Sequence, residues 1–479
     1  MRLPSRTPLI LGLILALAAA ACGSGGTEEA APSKAPASPS AISSPTPPSP
    51  SAKPAKGIFK LDHLVFIVME NRSFDHYFGT YPGADGIPKN VCVPDPQMGD
   101  RCSTPYHSDD LVNNGGPHGH PHSVMSVNGG KMDGFIRAAA LGGDSYCLLN
   151  RDDPTCANSF GPEGQPDVMG WHDRREIPNY WRYADEFVLH DRMFAPVDSW
   201  TLPAHMFLVS AWAARCANDN PMSCENDSVQ EAGGQKWHPR KKPPYAWTDI
   251  THLLHEADVS WKYYNAPGTC NIAPCGDAEN HNIGTPKAMN VLPGFVTVHD
   301  NDQMGNIVTH QELFRDAEGG TLPSVSWVVP GRGFSDHPGS DAPITAAQEF
   351  VTEVVNSIGE GPNWDTSAIF LVWDDWGGFY DHVEPPRVDE NGYGLRVPSL
   401  IISPYAKQGF IDHQTLSYDA YLKLIEDRFL DGQRLDPKTM SRPDPRPTVR
   451  EEVKQLGNLK KDFDFNQEPR EPLILDPTP

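Results

Sequence analysis

Two short apolar runs in this chain end alike. Leu64 to Met69 reads LVFIVM and gives way at once to Glu70 and Asn71, while Ala368 to Trp373 reads AIFLVW and gives way to Asp374 and Asp375. Runs of this length with no polar position predict strands buried on both faces, as in a parallel sheet covered by helices. In open sheets of that kind, ligands sit outside the carboxyl ends of the strands. Asn-Arg-Ser after the first run, or Asp-Asp before Gly377 and Gly378, could each be an ordinary turn. Two such endings in one chain make a shared purpose the stronger reading. Neighbouring carboxylates repel, so holding them ionised in a confined place calls for a compensating cation. Glu, Asn and Asp supply hard oxygen ligands, which suit Ca²⁺, Mg²⁺ or Mn²⁺ and, less typically, Zn²⁺.

The surrounding pattern alternates strands with helices. Further strands are predicted at Phe187–Leu189, Val325–Val329 and Val397–Ser403, with helices at Ile177–Glu186, Leu202–Ala214, Ala346–Ile358 and Leu416–Leu430. Such alternation argues for an α/β fold with a mostly parallel sheet covered on both faces. Residues 80–170 read as loop-rich, too long for a plain connection unless they build a site. The last forty or so residues, rich in Pro and charge, read as a surface wrap.

The amino-terminal segment reads as an export signal. Arg2 and Arg6 precede an apolar stretch that ends in four alanines and Cys22, the layout of a secretory leader over residues 1–21. The cysteine after small residues resembles a bacterial lipobox, although Ala19 stands where Leu is commoner. Cys22 is thus expected to carry a lipid anchor at the bacterial cell surface, with a plain secreted protein as the alternative. Residues 22–57, almost all Pro, Ser, Ala, Gly and Thr, have too little to bury and read as a disordered tether. Residues 58–479 form the body, expected as one domain.

Acidity and cysteine usage narrow the partners. The formal charge is −23 at pH 7, and setting aside the cationic leader and tether leaves the body more acidic still. Such a surface repels nucleic acid and anionic membrane, leaving the lipid anchor as the membrane contact. Phosphate chemistry would need local cations, most simply a bound metal. The eight cysteines after Cys22 fall in close pairs: Cys92 and Cys102, Cys147 and Cys156, Cys216 and Cys224, Cys270 and Cys275. An even set in an exported chain reads as disulfides, neighbour pairing being the simplest connectivity; no C-x-x-C favours zinc.

Longer motifs add a family. MENRSFDHYFGTYPGADG (Met69–Gly86), NGGKMDGF (Asn128–Phe135), MGWHDRREIPNYWRYADEFVLHDRMFAP (Met169–Pro196), SDHPGS (Ser335–Ser340), VWDDWGGFYDHVEPP (Val372–Pro386) and VPSLIISPYAKQGFIDH (Val397–His413) resemble the bacterial phosphoesterase family. That family includes phosphatidylcholine-type phospholipases C and acid phosphatases, on an alkaline phosphatase-like α/β sandwich. The resemblance covers about residues 60–470. It implies one divalent metal held by Glu70, Asn71, Asp374, Asp375 and a hydroxyl nucleophile, for which Thr201 in DSWTLPA (Asp198–Ala204) matches the family position. Trp200 replaces the family's usual Pro and Ala204 its usual Asn, departures that bear on pocket shape. Ser199 is the fallback nucleophile.

The resemblance also implies two histidines that take the phosphate and leaving group. His118 is the best match for the first, with His120 and His122 as neighbours in GPHGHPHS, and His337 matches the second. His382 is expected to brace the Asp374-Asp375 turn, and His172 is left open. The expected activity is hydrolysis of phosphate esters through a phosphothreonine intermediate. An acid phosphatase acting on small phosphomonoesters is favoured, because WDDWGG is closer to those members and no β-rich appendage follows the last motif. The alternatives are a phospholipase C cleaving phospholipid head groups and a surface lipoprotein that binds phosphorylated ligands without turnover. No G-x-S-x-G, H-E-x-x-H or G-x-x-x-x-G-K motif supports another enzyme class.

Overall fold

A computed structural model describes residues 55–479, apart from 97–98, 100, 142–145, 151–152, 154–155, 157–158, 229–244, 269–283 and 341. The leader, Cys22, nearly all of the tether, and the Cys270 and Cys275 pair lie outside the described residues. The strands of the main sheet are β1 (His63–Met69), β2 (Val188–His190), β3 (Trp261–Asn265), β4 (Ile307–Thr309), β5 (Val325–Val328), β6 (Ser367–Trp373), β7 (Ser399–Ile402) and β8 (Phe410–Asp412). They form one eight-stranded sheet in the order β4-β3-β5-β1-β6-β7-β2-β8. All pairs are parallel except those made by β7, which runs antiparallel to both β6 and β2.

The helices that matter for the site are α1 (Phe74–Phe78), α2 (His120–Val127), α3 (Phe135–Leu141), α4 (Pro178–Glu186), α5 (Thr201–Ser210), α6 (His310–Gly319), α7 (Ile344–Glu360) and α8 (Tyr418–Phe429). Residues three apart in a strand face opposite sides, so Phe370 and Trp373 of β6 report on the two faces. Phe370 stacks on its register partner Phe66 at 4.9 Å, and both meet Tyr421 of α8. Trp373 meets Tyr180 of α4 at 5.2 Å on the other side. Helices therefore cover both faces, which is why β1 and β6 are apolar at every position after their first residues, His63 and Ser367. β1 and β6 lie side by side with Leu64 to Met69 paired to Ala368 to Trp373.

The long predicted strands and helices are present, with shifted ends. The helix expected to reach Ala214 stops at Ser210, because Ala211 turns left-handed (φ 52°). The chain then enters a short ribbon closed by the Cys216–Cys224 disulfide. Cys92–Cys102 and Cys147–Cys156 are also bonded, so the three described pairs follow neighbour pairing. Strands β3, β4 and β8 and helix α6 escaped the sequence reading: β4 and β8 are three residues long, and β3 mixes Lys262 and Asn265 among aromatics. Helices α2 and α3 likewise stand inside the stretch read as loop. The carboxyl-terminal stretch is more than a surface wrap. Arg450, fully buried, donates to Asp419, Asp389 and the Pro196 carbonyl, and Arg446 to Asp444 and two carbonyls.

Truncating Phe66 removes a ring packed between strand neighbours and α8, so Phe66→Ala should destabilise the fold by about 3–5 kcal/mol. A shifted midpoint in denaturant, followed by circular dichroism, checks this.

Candidate active site

The parallel register of β1 and β6 places their ends side by side. Asp374 N donates to the Met69 carbonyl at 3.0 Å, and Asn71 N donates to Asp374 Oδ1 at 3.0 Å. Glu70-Asn71 and Asp374-Asp375, separated by some three hundred residues in sequence, thus share one buried space. Asn71 adopts a left-handed backbone (φ 64°), a conformation Asn tolerates better than most residues. The segment that follows is pinned from several sides. Ser73 caps α1 by accepting from His76 N, and Arg72 donates to the Asp336 carbonyl (2.7 and 3.0 Å) and to Asn113 Oδ1. Arg72 therefore latches the loop bearing His337 to the end of β1.

Gly377 and Gly378 shape the other half. Gly377 has φ 61°, and a Cβ there would stand 2.1 Å from the Asn71 carbonyl oxygen; one on Gly378 (φ 79°) would stand 2.4 Å from Gly116 Cα. Only glycine permits both approaches. Gly116 N then donates to the Gly377 carbonyl at 2.9 Å, which brings His118 over the acidic pair. His118 Nδ1 donates to the Gly116 carbonyl, so its Nε2 accepts from Asn71 Nδ2 at 3.0 Å and lies 4.0 Å from Asp375 Oδ2. The His337 ring stands 6.0 Å from that of His118, centroid to centroid, with its Nδ1 turned to the Pro338 carbonyl.

Thr201 opens α5 at its first position, where backbone N–H groups lack intrahelical partners. Pro203 is tolerated in that first turn. The Thr201 hydroxyl donates to Asn71 Oδ1 at 3.5 Å, the long end of the hydrogen-bond range. Glu70, Asn71, Thr201, Asp374, Asp375, His118 and His337, drawn from five separate stretches, therefore converge. Ser199 is buried two residues before Thr201. His120 turns away to Asp198 at 3.0 Å, and His122 has a buried Nδ1 with no partner among the described residues. His172 sits apart, bonded to the Ser108 carbonyl and Asn113. His382 does not brace the Asp374-Asp375 turn as expected; it bonds Asp75 at 2.7 Å beside Arg396, and the glycine pair shapes the turn instead.

The carboxylates are half satisfied. Asp374 Oδ1 accepts from Asn71 N and Asp375 N, and Asp375 Oδ1 from Gly377 N, while Asp374 Oδ2, Asp375 Oδ2 and Glu70 Oε2 are buried with no partner among the described residues. Burial first, then the charges of Asp375 and Glu70, hold Asp374 well above the usual carboxylate range. Burial and the Glu70 charge do the same for Asp375. Burial lifts Glu70 to about 7, tempered by the Ser335 side chain, His118 and Arg332. No Lys or Arg pairs with any of the three among the described residues. Bare, convergent carboxylate oxygens beside a carboxamide and a hydroxyl fit a divalent cation better than any organic group.

The compact acidic clusters lie elsewhere. Asp75–Asp381–His382, His107–Asp173–Glu176 and His190–Asp412–Asp462 each hold donor atoms within 4.8 Å of one another. Their charges are already answered: Arg396 donates to Asp75 and Asp381, Arg175 to Asp173, and His190 faces Asp462. Sequence reasoning missed one residue of the central site. His205 of α5 is fully buried, its Nε2 is 3.8 Å from Asp374 Oδ2, and burial pushes it down to about 3. Its position four residues after Thr201, on the same helix face, was the available signal.

Comparison with known proteins agrees in extent with these motifs. A sequence model described as the phosphoesterase family matches residues 61–430. The non-hemolytic phospholipase C of Burkholderia pseudomallei is 28% identical over 431 residues, covering 78% of this chain and 55% of that protein. Phospholipase C B of Mycobacterium tuberculosis is 26% identical over 420 residues, covering 77% of this chain and 73% of that one. The chain spans about half the length of the non-hemolytic phospholipases C it matches. A solved alkaline phosphatase superfamily protein from Vibrio parahaemolyticus aligns over 53% of this chain and 60% of its own, at 12% identity and a TM-score of 0.32.

Because the added Cβ would meet the Asn71 backbone, Gly377→Ala should cost at least about 1–2 kcal/mol from the left-handed backbone alone and displace Asn71 from Asp374. The rise in melting temperature on adding a divalent cation to chelator-treated protein should shrink or vanish in this variant, as scanning calorimetry would read.

Proposed function

The chain belongs to the phosphoesterase family, and from that premise we propose that it is a metal-dependent hydrolase of phosphate esters in which Thr201 is the nucleophile. The observation that carries this reading is the set of bare carboxylate oxygens on Glu70, Asp374 and Asp375 gathered beside the Thr201 hydroxyl. Glu70, Asn71, Thr201, Asp374 and Asp375 would hold the cation. A divalent ion bound there lowers the pKa of a coordinated hydroxyl and neutralises charge on a phosphoryl group.

The chain's own residues supply the rest. Thr201, fixed at the head of α5, would present its oxygen for in-line attack on phosphorus. The Thr201 and Leu202 backbone amides of the first turn would be the ones available to phosphoryl oxygens, since Pro203 has no N–H and Ala204 N donates to the Trp200 carbonyl. The bond to the leaving alkoxide breaks and a phosphothreonine forms. Burial, then the charge of His118, pushes His337 down to about 4, so its imidazole is neutral near pH 7. The Nε2 lone pairs that His118 and His337 keep can take the proton that the Thr201 hydroxyl releases, and the imidazolium so formed can hydrogen-bond the transferred oxygens and hand that proton to the departing alkoxide. Water then attacks the phosphothreonine, releasing the phosphate or phosphorylated head group and restoring the hydroxyl.

Two substrate classes are supported by different observations. The form of the WDDWGG motif favours a small phosphomonoester. The curated relatives carry phospholipase C names, which favours a phospholipid head group as the second reading. We place the protein outside the cytoplasm, because three disulfides persist in oxidising compartments. The leader and Cys22 add an exported, lipid-anchored form to that proposal.

Thr201→Val, which keeps the shape and removes the hydroxyl, should reduce turnover at least about a thousandfold while leaving the melting temperature close to wild type. Chelation should abolish turnover reversibly. Parallel assays on a soluble phosphomonoester and on phosphatidylcholine vesicles separate the two substrate classes. Full activity in the Thr201→Val protein would remove Thr201 from the mechanism, and binding of both substrates without hydrolysis would point to a non-catalytic phospho-ligand receptor.

A further inference from the structure

His205 takes no part in the attack by Thr201 or the proton transfers of His118 and His337. It is fully buried within α5, and neither ring nitrogen has a hydrogen-bond partner among the described residues. Buried polar atoms are almost always paired, so an orphan of this kind asks for an explanation. Its Nε2 lies 3.8 Å from Asp374 Oδ2, which is also bare. That separation is too long for a hydrogen bond. It is close to what two donors on one cation require, since ligands each about 2.1 Å from a shared ion stand roughly 3–4 Å apart. His205 also follows Thr201 by four residues, so both side chains leave α5 on the face turned to the acidic pair.

Resting on the reading of a cation among Glu70, Asn71, Thr201, Asp374 and Asp375, we propose that His205 Nε2 is a further ligand of that ion. The donor set is then no longer all oxygen. Carboxylates and carbonyls suit Ca²⁺, Mg²⁺ and Mn²⁺, whereas an imidazole adds preference for borderline transition ions such as Zn²⁺ or Co²⁺. His205 thus sets the class of metal that the site selects. The ring is oriented by packing within the buried face of α5, where Ala204 and Met206 flank it in sequence and are equally buried. Replacement by an apolar side chain of similar size removes a buried orphan and should leave the metal-free fold at least as stable.

The test uses the full chain stripped with chelator and titrated separately with Zn²⁺, Co²⁺ and Ca²⁺ by calorimetry, with the visible absorption of bound Co²⁺ as a second readout. Four proteins are compared: wild type, His205→Leu, His205→Gln and Glu70→Gln. The expected result is that both His205 variants lose about tenfold or more in Zn²⁺ and Co²⁺ affinity, with an altered Co²⁺ spectrum, while Ca²⁺ affinity changes far less. Metal-free His205→Leu should melt at or above the wild-type temperature. Unchanged Zn²⁺ affinity and Co²⁺ spectrum in the His205 variants, alongside loss of binding in Glu70→Gln, overturn the role of His205 and leave the cation site standing. Unchanged binding in Glu70→Gln as well overturns the cation site itself. Should neither His205 variant fold, a chain carrying His118→Gln and His337→Gln and loaded with Cu²⁺ decides: imidazole nitrogen coupling in its electron spin-echo spectrum supports the proposal, and its absence ends it.

Discussion

Three carboxylates that repel one another in a buried space are the constraint around which this molecule is arranged. Glu70, Asp374 and Asp375 have no paired Lys or Arg among the described residues, and each keeps one oxygen bare. Such a group is unfavourable in a low-dielectric interior unless it is neutral or shares a cation. The fold nonetheless holds it with main-chain bonds that do not bend easily. Strands β1 and β6 pair in register to their last residues, so the chain cannot relieve the repulsion by sliding one end past the other. A slip by one residue would set each side chain against the opposite helical layer and undo the packing of both faces.

Backbone proximity does the remaining positioning. The carboxyl end of β1, the turn after β6 and the loop bearing His118 meet at Gly377 and Gly378, where main chain lies against main chain. Arg72 fixes a fourth piece by donating to the Asp336 carbonyl, and Asp336 in turn accepts from Tyr77 and Trp373. A buried guanidinium satisfied by one carbonyl, a side-chain amide and an imidazole gives a rigid joint rather than an ion pair. A second buried arginine, Arg396, ties Asp75 of α1 to Asp381 beyond the same turn. The site is therefore assembled by loops that are stiff although they lack regular structure.

Much of this was legible because β1 and β6 are buried on both faces. A fully apolar run that ends abruptly in Glu-Asn or Asp-Asp shows its boundary without any periodicity, and both boundaries lie within a residue of the observed strands. Short edge elements were not legible: β4 and β8, three residues each, owe their conformation to the neighbours they pair with rather than to their own composition. His382 was misread for a related reason, since proximity in sequence to Asp374 and Asp375 says nothing of a turn through two left-handed glycines that sends it toward Asp75. His205 was overlooked because an apolar helix with one His reads as a packed core helix. Only the missing hydrogen bonds distinguish it.

That distinction separates this centre from the other acidic clusters of the fold. Asp75 with Asp381, or Asp173 with Glu176, gathers donor atoms more tightly than Glu70 with Asp374 and Asp375, and compactness alone would rank them first. Their oxygens, however, face guanidinium groups or imidazoles that already answer the charge. A cation arriving between Asp75 and Asp381 would have to displace Arg396 and strand it in the interior, which is costly for a buried arginine. At the ends of β1 and β6 nothing needs displacing: the donors are present, their lone pairs are free, and their mutual repulsion falls as soon as positive charge enters. The hydrogen-bond account closes almost everywhere else along these strands. It stays open at the carboxylate oxygens beside a hydroxyl at a helix start, which have no partner among the described residues.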